Sequence, residues 1–280
     1  MAGTLFLCAT PIGNLDDITF RVLETLKTVD LIAAEDTRHS IKLLNHFNIK
    51  TKMTSYHEFN KIEKAQYLVK ELEQGKNIAL ITDAGTPGIS DPGEELVRQC
   101  YDANIKVTSL PGACALITGL TMSGLPTRRF CFEAFLPTDK KLRAQILESL
   151  KLETRTIIIY EAPHRLKKTL SELYGYLGER RITVLRELTK KHETAFVTTF
   201  KEAIDYYEEN EPKGECVLVI EGISVKEVEE EKAKEWEQLT LKEHVVLYMK
   251  QGMSKKEAMK QVALDRGMKK RDVYQALLEE

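Results

Sequence analysis

Asn-Ile-Ala-Leu-Ile-Thr-Asp-Ala-Gly-Thr-Pro-Gly-Ile-Ser-Asp-Pro-Gly, residues 77–93, decides how this chain folds. Residues 78–81 form an apolar run of strand length, which predicts a buried strand. It stops abruptly at 83–92, where glycines, prolines and two carboxylates fix backbone geometry and let main chain approach a ligand closely. Asp91-Pro92-Gly93-Glu94-Glu95 then opens a helix. Asp91 is expected to cap it, Pro92 to take the first helical position, and Glu94 and Glu95 to meet the positive end of the dipole. The loop is longer than the few residues such connections need. In open α/β sheets the carboxyl end of a strand is where ligands bind.

Outward from that loop the same unit recurs. The apolar run 4–9 leads into Thr10-Pro11-Ile12-Gly13-Asn14, after which Asp16 or Asp17 is expected to cap a helix carrying Ile18, Val22, Leu23 and Leu26 at helical spacing. A strand at 31–34 ends in Glu35-Asp36-Thr37-Arg38, and 42–47 reads as helix. A weaker strand at 52–56 precedes His57-Glu58, and a helix over 61–73 leads to the central strand. Residues 105–110 form a strand that meets Pro111-Gly112-Ala113-Cys114-Ala115 and a small-residue helix reaching about Ser123.

After Gly124-Leu125-Pro126 the pattern restarts. Strands are expected at 130–136, 155–160, 182–185, 194–199 and 215–220, with helices at 140–151, 166–177 and from 201. Alternating elements predict an α/β fold of partly parallel sheets. Residues 225–239 are acidic and read as a linker helix. Beyond them Thr240-x-x-Glu243 and Ser254-x-x-Glu257 fit capping boxes, and Gly252 and Gly267 fit helix stops. The division expected is 1–115 and 116–224 as two α/β domains, 225–239 as linker, and 240–280 as a three-helix module. Eight Lys or Arg between Lys250 and Arg271 face only Glu257 and Asp265. A helix-turn-helix that binds nucleic acid and a small bundle that packs on its neighbour both fit that pattern.

The 280 residues hold 42% hydrophobic and 30% charged side chains at a net charge of −2, values of a globular protein that neither demand nor exclude a polyanionic partner. No segment approaches a membrane span, and no basic region precedes the first apolar run, so neither anchor nor signal peptide is expected and a cytoplasmic location is. The five cysteines form no Cys-x-x-Cys pair and read as small core residues. Gly-x-Gly-x-x-Gly, the P-loop, His-Glu-x-x-His and Gly-x-Ser-x-Gly are all absent, which points away from NAD, ATP, a catalytic metal and a serine nucleophile. What remains is a set of Gly/Pro loops after strands, suited to pinching a compact ligand.

Thr-Pro-Ile-Gly-Asn at 10–14, Glu-Asp-Thr-Arg at 35–38, Asp-Ala-Gly-Thr-Pro-Gly-Ile-Ser-Asp-Pro-Gly at 83–93, Pro-Gly-Ala at 111–113, Tyr-Glu-Ala-Pro-His-Arg at 160–165 and Arg-Glu-Leu-Thr-Lys at 186–190 recur in order over nearly the whole chain. The combination resembles the small-subunit ribosomal RNA methyltransferase I family, in the tetrapyrrole-methylase-like group. That resemblance implies two α/β domains with S-adenosylmethionine between them, 2′-O-methylation of one cytidine in the decoding region of 16S ribosomal RNA in the 30S subunit, and a homodimer. It places the cofactor on Pro11, on Asp83, Ala84, Gly85, Thr86, Pro87, Ile89 and Ser90, on Gly112, Ala113, Cys114 and Ala115, and on Tyr160, Glu161, Glu215 and Cys216. Thr86 stands where tetrapyrrole methylases have Asp, and Cys114 and Ala115 replace their Thr-Ala or Ser-Ser pair.

A ribose hydroxyl is a poor nucleophile and calls for a group that takes or polarises its proton. Asp36 with Arg38 leads the candidates, followed by His164, His57 and Glu58; a cap or salt bridge is the competing role for each. Arg38, Arg128, Arg129, Lys140, Lys141, Arg143, Arg165, Arg186, Lys190 and Lys191, and in the tail Lys255, Lys256, Lys269, Lys270 and Arg271, are candidate phosphate contacts. Tyr56, Phe59 and Tyr160 are candidates for stacking on a base. A tetrapyrrole or other small-molecule methylase, and a metabolite-sensing DNA-binding regulator, are the alternative readings.

Overall fold

The computed structural model describes residues 1–237 and 239–279; Gln238 of the expected linker and Glu280 of the expected terminal module lie outside the described residues. Packing divides the chain into one unit of Met1–Lys151 and Arg155–Glu221, and a second of Leu152–Thr154 with the chain from Gly222 onward.

The first unit holds two five-stranded sheets. The N-terminal sheet runs β3 (Met53–Ser55), β2 (Leu31–Ala34), β4 (Ile78–Ile81), β1 (Thr4–Cys8), β5 (Lys106–Leu110), all parallel. Every residue of β4 is buried, because a central parallel strand carries helices on both faces. One face packs Leu5, Leu80, Leu68, Leu72 and Leu96. The other packs Cys8, Val22, Leu26, Ile81 and Leu44. The helices are α1 (Phe20–Thr28), α2 (Thr37–His46), α3 (Lys61–Glu73), α4 (Gly93–Asp102) and α5 (Ala115–Met122).

Several helix starts differ from expectation. Asn14 caps a 3-10 turn over Leu15–Asp17, and Thr19, not Asp16 or Asp17, caps α1 by accepting from Val22 N. Helix α2 begins at Thr37, five residues early, because the Asp36 carboxylate accepts from Arg38 N. Pro92 occupies the cap of α4, while Asp91 folds back over the loop and takes Gly93 N at 2.8 Å.

The second sheet runs β6 (Phe130–Phe135), β7 (Thr156–Glu161), β10 (Cys216–Ile220), β8 (Arg181–Arg186), β9 (Thr194–Thr199). Only β6 and β7 are parallel; the other pairings are antiparallel. Helices α6 (Lys140–Ser149), α7 (Pro163–Leu177) and α8 (Phe200–Glu209) cover one face, where Ile157, Ile159, Leu166, Leu170, Leu218 and Phe200 form the core. The other face, with Ile158, Leu185, Val217 and Val219, meets Leu116 and Leu120 of α5. Gly119 makes this approach possible, since a Cβ there would lie 2.9 Å from Val217 Cγ1. Helix α5 thus joins the two sheets into one body.

The second unit carries α9 (Val225–Glu237), α10 (Leu241–Lys250), α11 (Lys255–Asp265) and α12 (Lys270–Glu279). Both capping boxes form. Among its core residues His244 is fully buried, its ring stacked between Trp236 and Tyr248, with Nδ1 accepting from Arg266 Nε at 3.2 Å and Nε2 3.5 Å from Asp265. Burial, reinforced by the Arg266 guanidinium and opposed by Asp265, holds its pKa below the ordinary 6.5. The unfolded chain therefore takes up a proton that the folded one refuses as pH falls below that value, so stability is complete above it and lost below it. Hydrogen exchange along Leu241–Lys250 is expected to be pH-independent, after correction for intrinsic rates, above neutrality and to accelerate on acidification; growing protection at acid pH would contradict this. Among the described residues no helix is long and apolar enough to cross a membrane.

Candidate functional site

The loops at the carboxyl edge of the parallel sheet are tied to one another. Thr10 and Gly85 exchange backbone hydrogen bonds at 2.9 and 3.0 Å, which joins the loop after β1 to the loop after β4. Thr86 Oγ1 donates to Ala113 O at 3.0 Å and so joins the β4 loop to the one after β5. Thr82 Oγ1 donates to Glu35 at 2.6 Å, which adds the end of β2. Within the loop the Asp91 carboxylate accepts from Gly88 N, Ile89 N and Gly93 N. Burial raises the Asp91 pKa, and these three donors oppose that shift. Gly85 and Gly88 sit at φ +89° and +85°, where a Cβ is strained.

Facing these loops, the second sheet presents Phe135, Tyr160, Val217 and the turn after β8. Glu187 and Thr189 in that turn hold positive φ values of 53° and 64°. A β-branched residue there is a backbone outlier, and such strain concentrates at functional sites. Tyr160 is fixed by its hydroxyl, which accepts from Leu116 N at 2.9 Å, and by edge contacts with Phe132 and Phe135.

Between the opposed walls lies a cavity of about 180 Å3 that is partly open to solvent. Ile12, Ile89, Leu188 and Val217 supply apolar wall; Glu35, Asp91, Glu187 and Glu215 supply carboxylates. A second cavity adjoins it, sharing Ile12, Thr82, Ala84, Lys190 and Glu215 and adding Pro11, Gly13, His39, Lys42, His46 and Asp83. Lys190 lines both cavities; its ammonium lies 3.0 Å from Glu187 and 3.9 Å from Glu215. A Cβ on Gly13 would come within 2.4 Å of the Lys190 side chain, so this glycine lets the lysine pass between the walls.

Of the residues implied as cofactor contacts, Ala84, Gly85, Thr86, Ile89, Ser90, Cys114, Ala115, Tyr160, Glu215 and Cys216 line the first cavity, and Pro11 and Asp83 the second. Pro87 is buried behind the loop, Gly112 packs on Ala9, and Ala113 lends its carbonyl to Thr86. Glu161 requires correction. It is 1% exposed, on the opposite face of β7 from Tyr160, with Oε2 accepting from Thr169 and Oε1 3.3 Å from Arg165. Cys216 carries a thiol pushed up to about 12 by burial, so it is no thiolate nucleophile.

Among the proton-handling candidates, Asp36 is held at about 2 by its hydrogen bonds to Arg38 and serves as the α2 cap, outside both cavities. His164 is exposed on the first turn of α7, and His57 and Glu58 lie before α3; none lines either cavity. The cation that sequence reasoning misplaced is Arg143, which is buried and donates to Glu172, Thr169 and Pro137 O. Arg165 donates to Leu136 O, and Arg186 to Lys213 O. Arg128, Arg129, Lys140, Lys141 and Lys191 are exposed, as are Lys255, Lys256, Lys269, Lys270 and Arg271. Tyr56 is buried with its hydroxyl donating to Pro92 O, which removes it as a stacking surface; Phe59 is 97% exposed. Ile12, Glu35, Glu187 and Leu188 line the first cavity from within the motifs at 10–14, 35–38 and 186–190 without having been singled out, while Phe135 and His39 line the cavities from outside every motif. No metal-holding group of three or more His, Cys, Asp or Glu occurs among the described residues.

Residues 4–204 match the family model of tetrapyrrole (corrin/porphyrin) methylases. The chain is 51% identical to ribosomal RNA small subunit methyltransferase I of Synechocystis over 99% of its own length and 98% of the relative's. It is 50% identical to the protein of the same name from Bacillus subtilis, over 98% and 94%. Two solved structures share the fold at low identity. Diphthine synthase gives a TM-score of 0.60 at 12% identity over 78% of this chain and 90% of that one. Uroporphyrin-III C-methyltransferase from Thermus thermophilus, complexed with S-adenyl homocysteine, gives 0.56 at 16% over 78% and 97%.

Proposed function

The chain belongs to the tetrapyrrole methylase family, among its ribosomal RNA small subunit methyltransferase I members, and from that premise we propose that it uses S-adenosylmethionine to methylate the 2′-hydroxyl of one cytidine in the decoding region of 16S ribosomal RNA. The observation that carries the reading is the pair of adjoining cavities at the carboxyl edge of the parallel sheet, one walled by both sheets and the other opening beside Asp83. This reading seats S-adenosylmethionine in the first, which is partly open to solvent. Gly85 lines it at φ +89°, a conformation that makes main chain rather than a side chain the wall there. When bound, the group supplies a sulfonium methyl that is electrophilic without further activation.

The protein's own task is placement. Ala84, Gly85, Thr86, Cys114, Ala115 and Tyr160 would hold the donor; Ile12, Leu188 and Val217 would exclude water around it. Holding two reactants in line can remove ~7 to 11 kcal/mol of barrier. The partner would be the assembled 30S subunit, the enzyme a homodimer in the cytoplasm, and the division at 115 and 224 the functional one.

Transfer of tritiated methyl to 30S subunits, naked 16S RNA and a porphyrinogen tests the reading: label on the RNA, released as 2′-O-methylcytidine, is expected. Label on the porphyrinogen alone would establish the small-molecule alternative instead. The exposed basic tail is assigned to RNA docking. Deleting 240–280 is expected to weaken RNA binding about tenfold, most at low salt and less as salt rises, with donor affinity unchanged. Unaltered turnover on subunits would contradict that assignment.

A further inference from the structure

We propose that His39, oriented by Asp83, is the group that takes the proton of the ribose hydroxyl, and that the ribose is presented from the second cavity. This rests on the 2′-O-methylation reading. His39 stands on the first turn of α2 and lines that cavity, with Nδ1 3.8 Å from Asp83 Oδ1. Catalytic hydrogen bonds in ligand-free sites are often long and tighten in the complex. Asp83 is itself held, because Oδ1 accepts from Asp36 N at 3.1 Å. The residues on either side of it, Thr82 and Ala84, line both cavities, so His39 and Asp83 stand where the two spaces meet.

The chemistry balances with these residues alone. The ribose oxygen forms a bond to the methyl carbon while the carbon–sulfur bond breaks, and sulfur keeps the electron pair. The hydroxyl proton passes to His39 Nε2. With Nδ1–H directed at Asp83, Nε2 is left as the acceptor, and the imidazolium formed stands against the carboxylate. Positive charge leaves the sulfonium and appears on His39, so the site's net charge is constant.

Other charged groups share its helix turn or its cavity. Asp36 and Arg38 lie on its own turn but are paired to each other at 3.0 Å. Lys42 and His46 come from later turns of α2, and Lys190 and Glu215 from the opposite wall. Burial, and after it the Glu35 carboxylate, raises the Asp83 pKa. The alternatives fare worse on geometry: Asp36 serves as a cap, and His164 lies outside both cavities.

Full-length His39→Gln, assayed on 30S subunits, is expected to lose about 100-fold or more in kcat while keeping its affinity for donor and subunit. The acid limb of the wild-type kcat profile should vanish in that variant. Without any turnover, nitrogen NMR of the wild type should show His39 as the Nδ1–H tautomer, a preference that Asp83→Asn should remove. Loss below threefold, a retained acid limb, a matching loss of binding, or a tautomer indifferent to Asp83 would each overturn the assignment. Should the wild type methylate a base rather than a ribose, the functional reading itself fails. If it makes 2′-O-methylcytidine and His39→Gln does too at full rate, only this inference fails.

Discussion

Gly85→Val is expected to abolish methyl-donor binding at concentrations that saturate the wild type, raising Kd by about 100-fold or more, as calorimetry would read. Two effects combine. At φ +89° a β-branched residue is strained, at a cost of about 1–3 kcal/mol, and the loop would relieve the strain by breaking its two-bond bridge to Thr10. The new side chain would also meet Ile12 of the cavity wall and the Ala113 carbonyl that Thr86 uses. A loss of about 3 kcal/mol corresponds to roughly 100-fold in affinity. The hydrophobic cores under the sheet do not include Gly85, so the fold should persist. Unchanged affinity would show that the donor binds elsewhere. Thr86→Trp, which fills the same space from an ordinary backbone position, should give the same result.

Arg143→Ala is expected to be the strongest destabilisation among the charged positions, about 3 kcal/mol in denaturant unfolding, with RNA affinity of the folded protein unchanged. The guanidinium joins Glu172 at 2.7 Å and Thr169 at 2.7 Å, and Thr169 in turn donates to Glu161 at 2.6 Å. Removing it leaves buried acceptors without their donor. The low end of the range for a broken buried pair applies, because Glu172 keeps partial exposure and Lys168 at 3.7 Å. Arg143→Lys should recover little, since an ammonium cannot reproduce the guanidinium fork. A change below 1 kcal/mol with weakened RNA binding would return Arg143 to the RNA surface.

The ligand loop was legible because its chemistry is local. An apolar run ending in Gly, Pro and Asp dictates a strand and a shaped loop whatever surrounds it, and Ile78–Ile81 and α3 stand at the bounds expected. Glu161 misled because it sits in a recognisable motif next to Tyr160. Strand parity decides its fate: Ile158 and Tyr160 face α5 and the cleft, while Ile157, Ile159 and Glu161 face α7. Arg143 had a readable signal as well, since it shares a helical stripe with Leu147 and Leu150. His39 was hidden by starting α2 at residue 42, although Asp36 announced the cap. Glu187 and Leu188 lay inside the 186–190 motif, from which only Arg186 and Lys190 were taken, and Phe135 carried no local signal, because only the meeting of two sheets brings it to the cavity.

A crystal structure of the protein with S-adenosylmethionine bound tests the central claim most directly. It should show the donor between the two sheets, against Gly85, Ala115 and Tyr160, with its methyl turned toward the cavity that holds His39 and Asp83. A donor seated in that second cavity, or anywhere away from Gly85, would contradict the account.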